Sequence, residues 1–378
     1  MSEFVLRNAK LVLAGEIVEG SLLIRDGKIA DMAHGQSHHG EDMGGDHIIP
    51  GLIELHTDHL ETHYHPRPGV DWPPHSAIIA HDAQIAAAGI TTVFDALRAG
   101  TFDPGDLAAR DGEKLLGAIK IAQEQNLLRA EHFIHLRCEL PCPDTLESAN
   151  STAQAGRIHL ISLMDHTPGA RQFTSLDKFK QYYLGRKLIV PEKIDDYIEE
   201  RRAFQVKHLA ANKQGLLKMA QDYSIPMLSH DDATAAHVEE AVADGVLICE
   251  FPTTAESAAA ARHHGLKILM GAPNLIRGGS HSGNISTEDV ARAGHLDIMS
   301  SDYVPMSLLM AAFELPNRIE TISLSQAIAT VSKNPAEIAG LRDRGEIANG
   351  KRADLARVST AAGFPVVKQL WRHGTRVL

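Results

Sequence analysis

Residues 51–65 read GLIELHTDHLETHYH, with four histidines, two glutamates and an aspartate directly after a proline. Imidazole and carboxylate are the ligands that Zn²⁺, Mn²⁺ and Fe²⁺ take most readily. His56 and Asp58 are two residues apart, so on a strand they share a side and can address one ion. Groups of the same kind recur along the chain: Glu139 in HLRCELP, Asp165-His166 in SLMDHTP, His230-Asp231-Asp232 in SHDDAT and Asp302 in SSDY. A single histidine or carboxylate at a strand end is ordinarily a satisfied structural group. Agreement among several such ends points to a metal centre, and its chemistry would be hydrolysis by water made acidic by the ions. His59, His63 and His65 lie beyond the strand. HLETH carries its glutamate in the third place, not in the second as in H-E-x-x-H, so these histidines read as loop or substrate-proximal groups, not as ligands.

These groups need a scaffold that brings distant segments together. Strand candidates are IELHTD, 90–97, 132–140, 158–166, 225–232, 246–254, 267–274 and 296–303, separated by helical stretches such as 76–89, 112–126 and 254–265. Eight apolar strands alternating with helices imply an α/β fold, a (β/α)8 TIM-like barrel, whose strands end together on the face where active sites are built. The two ends of the chain differ from this middle. Short alternating segments with turns at Gly15, Gly20 and Gly27, and GEIANGKRADLARVS with VVKQLWRHGTRVL near the C-terminus, read as strands. They imply a small β-sandwich domain from 1–50 and 345–378 around a barrel at 51–344. The connection at about 167–224 exceeds an ordinary βα unit. It reads either as extra helices outside the barrel or as a lid over the active face.

Composition narrows the class. A chain of 378 residues suits a barrel plus an accessory piece. No run approaches the ~20 apolar residues of a membrane span, and the opening MSEFVLRNAKLVLAGE has no signal-peptide pattern. Three cysteines, Cys138, Cys142 and Cys249, are too few and odd in number for a disulfide framework, and Cys138 and Cys142 read as packing residues. A cytoplasmic protein follows. The net charge of −11 argues against nucleic-acid binding but permits a small anionic substrate. Twenty-two histidines add weight to a metal site.

Several segments carry a resemblance. IIPGLIELHTD, AAAGITTVFDA, SSDY and SKNPAEIAGL…GEIANGKRADL are similar to the amidohydrolase superfamily, over essentially the whole chain. That superfamily has H-x-H on its first strand; here Asp58 replaces the second histidine. The departure, with PGLIELHTDHLETHYHPRPGVDWPPHSAIIAHDA, HLRCELP, SLMDHTPGARQF, SHDDAT, EFPTT and MGAPNLIRGGSHSGN, resembles the phosphonate-catabolism branch, the α-D-ribose 1-methylphosphonate 5-triphosphate diphosphatases. The resemblance implies cleavage of a ribosyl 5-triphosphate to the 5-phosphate and diphosphate, and a functional link to carbon–phosphorus lyase pathway enzymes.

On this reading two divalent ions, Zn, Mn or Mg, are held by His56, Asp58, Glu139, His166, His230 and Asp302. Glu139 would be the bridging carboxylate and Asp302 the general base. Whether Asp165 or His166 points inward stays open. Phosphate contacts would come from the glycine-rich stretch GAPNLIRGGSHSGN through Asn274, Arg277, Ser280, His281 and Asn284, with Arg67, Arg137 and Arg171 as further cations. Arg137 could equally pair with an acid at the barrel bottom. A C–N bond hydrolase of the deacetylase or dihydroorotase kind is the alternative, disfavoured by the missing H-x-H. A catalytically inactive barrel serving as a binding subunit would lack Glu139 or Asp302, and both are present. Oligomeric state is left open, a homodimer included.

Overall fold

The computed structural model describes residues 3–35, 37–67, 69–102, 111–172, 175–185, 189–280 and 283–378. Eight parallel strands follow one another around one sheet: Leu52–Thr57, Ile90–Ala99, Glu131–Glu139, Leu160–Met164, Met227–His230, Ile248–Glu250, Lys267–Gly271 and Ile298–Ser300. We number them barrel strands one to eight. All eight lie on the apolar segments expected to form them, the first three overrunning those segments by one or two residues, and they are apolar as strands covered on both faces must be. Helices Pro74–Ala87, Gly112–Glu124 and Ala255–His263 occupy three of the helical stretches.

Strand eight returns to strand one. The Asp302 N–H donates to His56 O at 3.2 Å, and the Thr57 hydroxyl donates to Asp302 O at 2.6 Å. Buried Glu54 reinforces the seam by accepting from the His56 N–H (2.7 Å), the Ser300 hydroxyl (2.6 Å) and the Ser301 N–H (2.6 Å). The interior is filled from seven strands by Leu55, Phe94, Leu160, Leu228, Ile248, Leu269 and Ile298, with half-buried Phe133 of strand three packed against them. It is therefore a packed core and not a pore, which leaves the face beyond the strand ends to bind ligands.

Both termini build a second sheet of eight strands, from Glu3–Val12, Ile17–Arg25, Lys28–His34, Glu41–Asp42 and His47–Pro50 at one end and Leu355–Ser359, Val366–Arg372 and Thr375–Arg376 at the other. The sheet curls onto its own core of Leu6, Leu22, Ile24, Ile48, Leu355 and Trp371. Closure brings Gly27, at φ +77°, against His373, where a Cβ would lie 2.8 Å from the histidine; only glycine fits.

The long connection folds as helices Leu176–Gly185 and Ile194–Tyr223. The latter is anchored to the barrel by Asn212 Nδ2, which donates to Leu140 O (2.8 Å) and Cys142 O (2.7 Å), and by Leu216, Met219 and Ala220 in the main core. Its first turns share a satellite core of Phe179, Ile194 and Ile198 with the shorter helix. The three cysteines are buried and in no disulfide. Among the described residues, no helix is long and apolar enough to cross a membrane.

Candidate functional site

A cavity of about 760 Å³ opens at the C-terminal end of the barrel. His56, Asp58, Arg137, His166, His230, Asp231 and Asp302 line one part of it; Asn274, Arg277, Gly279, Ser280 and Asn284 line another. Three residues at strand exits are in the left-handed region: Asp231 (φ +57°) and Phe251 (φ +54°), directly after their strands, and Asp302 (φ +52°), two residues after its strand. Such a conformation is costly outside glycine, least so for aspartate. All three line the cavity, so the strain is spent where side chains are turned inward. Local sequence fixes the exits as well: Thr234 of SHDDAT and Thr254 of EFPTT cap the next helices, accepting from His237 N (3.2 Å) and Ser257 N (3.1 Å).

The histidines are aimed by buried carboxylates. Glu250, fully buried at the end of strand six, accepts from His56 Nδ1 and His230 Nδ1, both at 2.6 Å, and from the Ser162 hydroxyl at 2.7 Å. Glu139 likewise takes both the main-chain N–H and the Nδ1 of His166. Each imidazole thus keeps Nε2 for the cavity. His166 Nε2 and His230 Nε2 lie 3.8 and 3.5 Å from Asp231 Oδ2. That oxygen is buried and has no hydrogen-bond partner among the described residues. An orphaned carboxylate oxygen facing two imidazole nitrogens is the donor set a divalent cation requires. His166, His230 and Asp231, and His56, His230 and Glu250, are each close enough together to hold one ion.

Electrostatics follow from burial. Asp302 is pushed up to about 6, chiefly by burial and then by the neighbouring Asp58. Burial opposes charge on Glu250, yet His56 and His230 hold it well below the usual carboxylate range. Burial also opposes charge on His166, but Glu139 keeps it above the ordinary imidazole value, which makes the ring a better donor. Arg137 is buried against Asp58 (Nη1 to Oδ2, 3.2 Å) at the barrel mouth, so its partner is a site acid and not one at the barrel bottom.

The sequence-derived residues therefore divide. His56, Asp58, His166, His230, Asp302, Arg137, Asn274, Arg277, Ser280 and Asn284 come together around the cavity. Glu139 stands behind His166 and does not line it, because both its oxygens are taken. Between the two neighbours, His166 turns inward; Asp165 instead accepts from the Thr167 N–H (3.0 Å) and Gln205 Nε2 (2.5 Å). Arg171 is drawn away by buried Asp232 and by Glu240, and lines a separate cavity of about 160 Å³. Gln172 takes its place at the main cavity. Arg67 is exposed in a turn bridged to Val70, outside the cavity. His281 lies outside the described residues. The stretch after strand seven is half helix, Ala272–Arg277, and turns through Gly278 and Gly279 at φ +79° and +149°. Asn274 Oδ1 accepts from the Thr287 N–H (2.9 Å) and fixes that turn.

Four residues were not singled out from sequence. Asp231 sits beside His230 and could have been chosen with it. Glu250 ends a wholly apolar strand, and a lone acid there is a signal. Arg98 and Tyr182 line the cavity, Tyr182 from the short helix of the long connection, so this connection supplies both extra packing and a wall of the site.

Comparison with known proteins places these features in context. A sequence model described as the amidohydrolase family matches residues 236–369. The chain is 45% identical over 376 residues to the α-D-ribose 1-methylphosphonate 5-triphosphate diphosphatase of Escherichia coli (strain K12), covering 99% of this chain and 100% of the relative. Among solved structures it is similar to 5-methylcytosine deaminase from Klebsiella pneumoniae, with a TM-score of 0.66 and 16% identity over 99% of this chain and 97% of that one. It is also similar to N-acetyl-D-glucosamine-6-phosphate deacetylase from Mycobacterium smegmatis, with a TM-score of 0.63 and 14% identity over 99% and 100%. At such identities these two likenesses speak for the fold alone.

Proposed function

Because the chain belongs to the family of α-D-ribose 1-methylphosphonate 5-triphosphate diphosphatases, we propose that it hydrolyses a ribosyl 5-triphosphate bearing methylphosphonate at C1, leaving the 5-phosphate and releasing diphosphate. The observation that carries this reading is one cavity holding Asp302, the His166–His230–Asp231 cluster and the Asn274–Asn284 turn. Water adds to the α-phosphorus, the bond from that phosphorus to the α–β bridging oxygen breaks, and the water proton goes to Asp302. With an ordinary value raised to about 6, Asp302 can take that proton near neutral pH and return it.

We assign His56, His166, His230, Asp58 and Asp231 to two divalent ions of the Zn, Mn or Mg group. When bound, such ions acidify water and offset phosphoryl charge. Glu250 and Glu139 orient the imidazoles from behind. Arg277, which makes no ion pair among the described residues, and the Gly278–Gly279 backbone receive the outer phosphates. Arg137 holds Asp58 and faces the same space. The anionic substrate and three buried cysteines in no disulfide fit a cytoplasmic enzyme. The substrate also fits service beside carbon–phosphorus lyase pathway enzymes.

Phosphorus NMR of the metal-loaded protein tests the reading. Ribose 1-methylphosphonate 5-triphosphate should yield diphosphate. Orthophosphate would move the attack to the γ-phosphorus, and turnover of an N-acyl compound with the triphosphate untouched would replace the reading by C–N hydrolysis.

A further inference from the structure

Beside the cavity, helix His59–Tyr64 presents His59 and His63 one turn apart, and helix Pro74–Ala87 presents His81 to them. The ring centroids are 4.8 Å apart for His59 and His63, 5.4 Å for His59 and His81, and 6.2 Å for His63 and His81. His59 Nδ1 and His81 Nδ1 face each other at 3.2 Å. This is long for a hydrogen bond and close to the edge of a tetrahedron around an ion with bonds of about 2.0–2.1 Å, roughly 3.3 Å.

The surroundings prepare these nitrogens as donors of lone pairs. His81 Nε2 is bound to buried Asp95 Oδ1 at 2.8 Å, so its proton sits there and Nδ1 is left bare. A carboxylate behind an imidazole is the usual support of a metal-binding histidine. His63 Nε2 is buried without a hydrogen-bond partner among the described residues. The adjoining group His81, Asp95 and His132 is less suited to an ion, because Asp95 and Asp82 are already matched by His132 and Arg129. We propose that His59, His63 and His81 form a second, separate site for a transition-metal ion of the Zn²⁺, Ni²⁺ or Co²⁺ class, held through imidazole nitrogens once the His63 ring rotates toward the other two. It would tie helix His59–Tyr64, whose N-cap is Asp58, to helix Pro74–Ala87.

The test counts ions and needs no substrate, so it stands or falls apart from the proposed reaction. The full chain is stripped with a chelator, dialysed against Zn²⁺ and assayed by elemental analysis, alongside His63→Phe and His63→Gln. Wild type should retain one ion more per chain than either variant. With Co²⁺, wild type should show a visible absorption component that both variants lack. Equal ion counts and equal Co²⁺ spectra in wild type and in either folded variant would overturn the proposal and leave the His59–His81 contact as a hydrogen bond.

Discussion

Glu139 grips His166 twice, accepting its main-chain N–H at 2.9 Å with one oxygen and its Nδ1 with the other. The ring therefore cannot rotate and its tautomer is fixed, with Nε2 directed at Asp231. Glu139→Gln keeps the shape but can offer only one oxygen as an acceptor. Metal affinity or turnover should drop by roughly 10–100-fold. Elemental analysis after dialysis, paired with kcat, checks this; an unchanged metal content and rate would remove Glu139 from the site's support.

Asp302 and Asp231 both follow strands in left-handed backbone, yet the roles assigned to them differ. Asp302→Asn should lower kcat on the order of 10²–10⁴-fold as a lost general base, with metal content near wild type. Asp231→Asn should instead lose metal, since its orphaned oxygen faces His166 and His230. Metal loss from the Asp302 variant together with activity would make Asp302 chiefly a ligand.

The strands were legible because each is a largely apolar run, as strands covered on both faces are, and several run into His, Asp or Glu. His56, His230 and Asp302 were found on that pattern alone. What sequence concealed was pairing. Arg171 looked available for phosphate, but its partner Asp232 is 61 residues away and comes close only through the fold. Glu139 looked like a ligand because its neighbour in space, His166, is 27 residues off. Glu250 went unassigned for the same reason: its importance lies in touching His56 and His230 at once. Charge type and strand position are local properties, whereas which oxygen is already spent is a tertiary one.

Arg277 ends the short helix Ala272–Arg277 and lines the cavity with Ser280 and Asn284. If it receives outer phosphates, Arg277→Ala should raise KM for triphosphates roughly tenfold, the scale of one charge-assisted hydrogen bond. A neutral C–N substrate should feel no such change. Steady-state kinetics on both substrate types decide the matter, and an equal effect on each would dismiss the phosphate assignment.

The buried pair His132 and Asp95 gives the fold a pH signature away from the cavity. Burial opposes charge on His132, but Asp95 and Asp82 outweigh it and hold the imidazole at about 9. Burial opposes charge on Asp95 too, and His132 overcomes it, holding Asp95 below its ordinary value. A histidine raised in the folded state contributes fully below its unfolded value of about 6.5 and loses that contribution as pH climbs to about 9. Asp95 stays ionised across this window, and its share is lost only on acidification below about pH 4. Denaturant unfolding should thus show stability falling between about pH 6.5 and 9, by up to about 3 kcal/mol. His132→Gln removes the titrating group, so the same scan should be flatter by that amount. An identical slope in the variant would assign the alkaline loss to other groups and leave the pair a neutral contact.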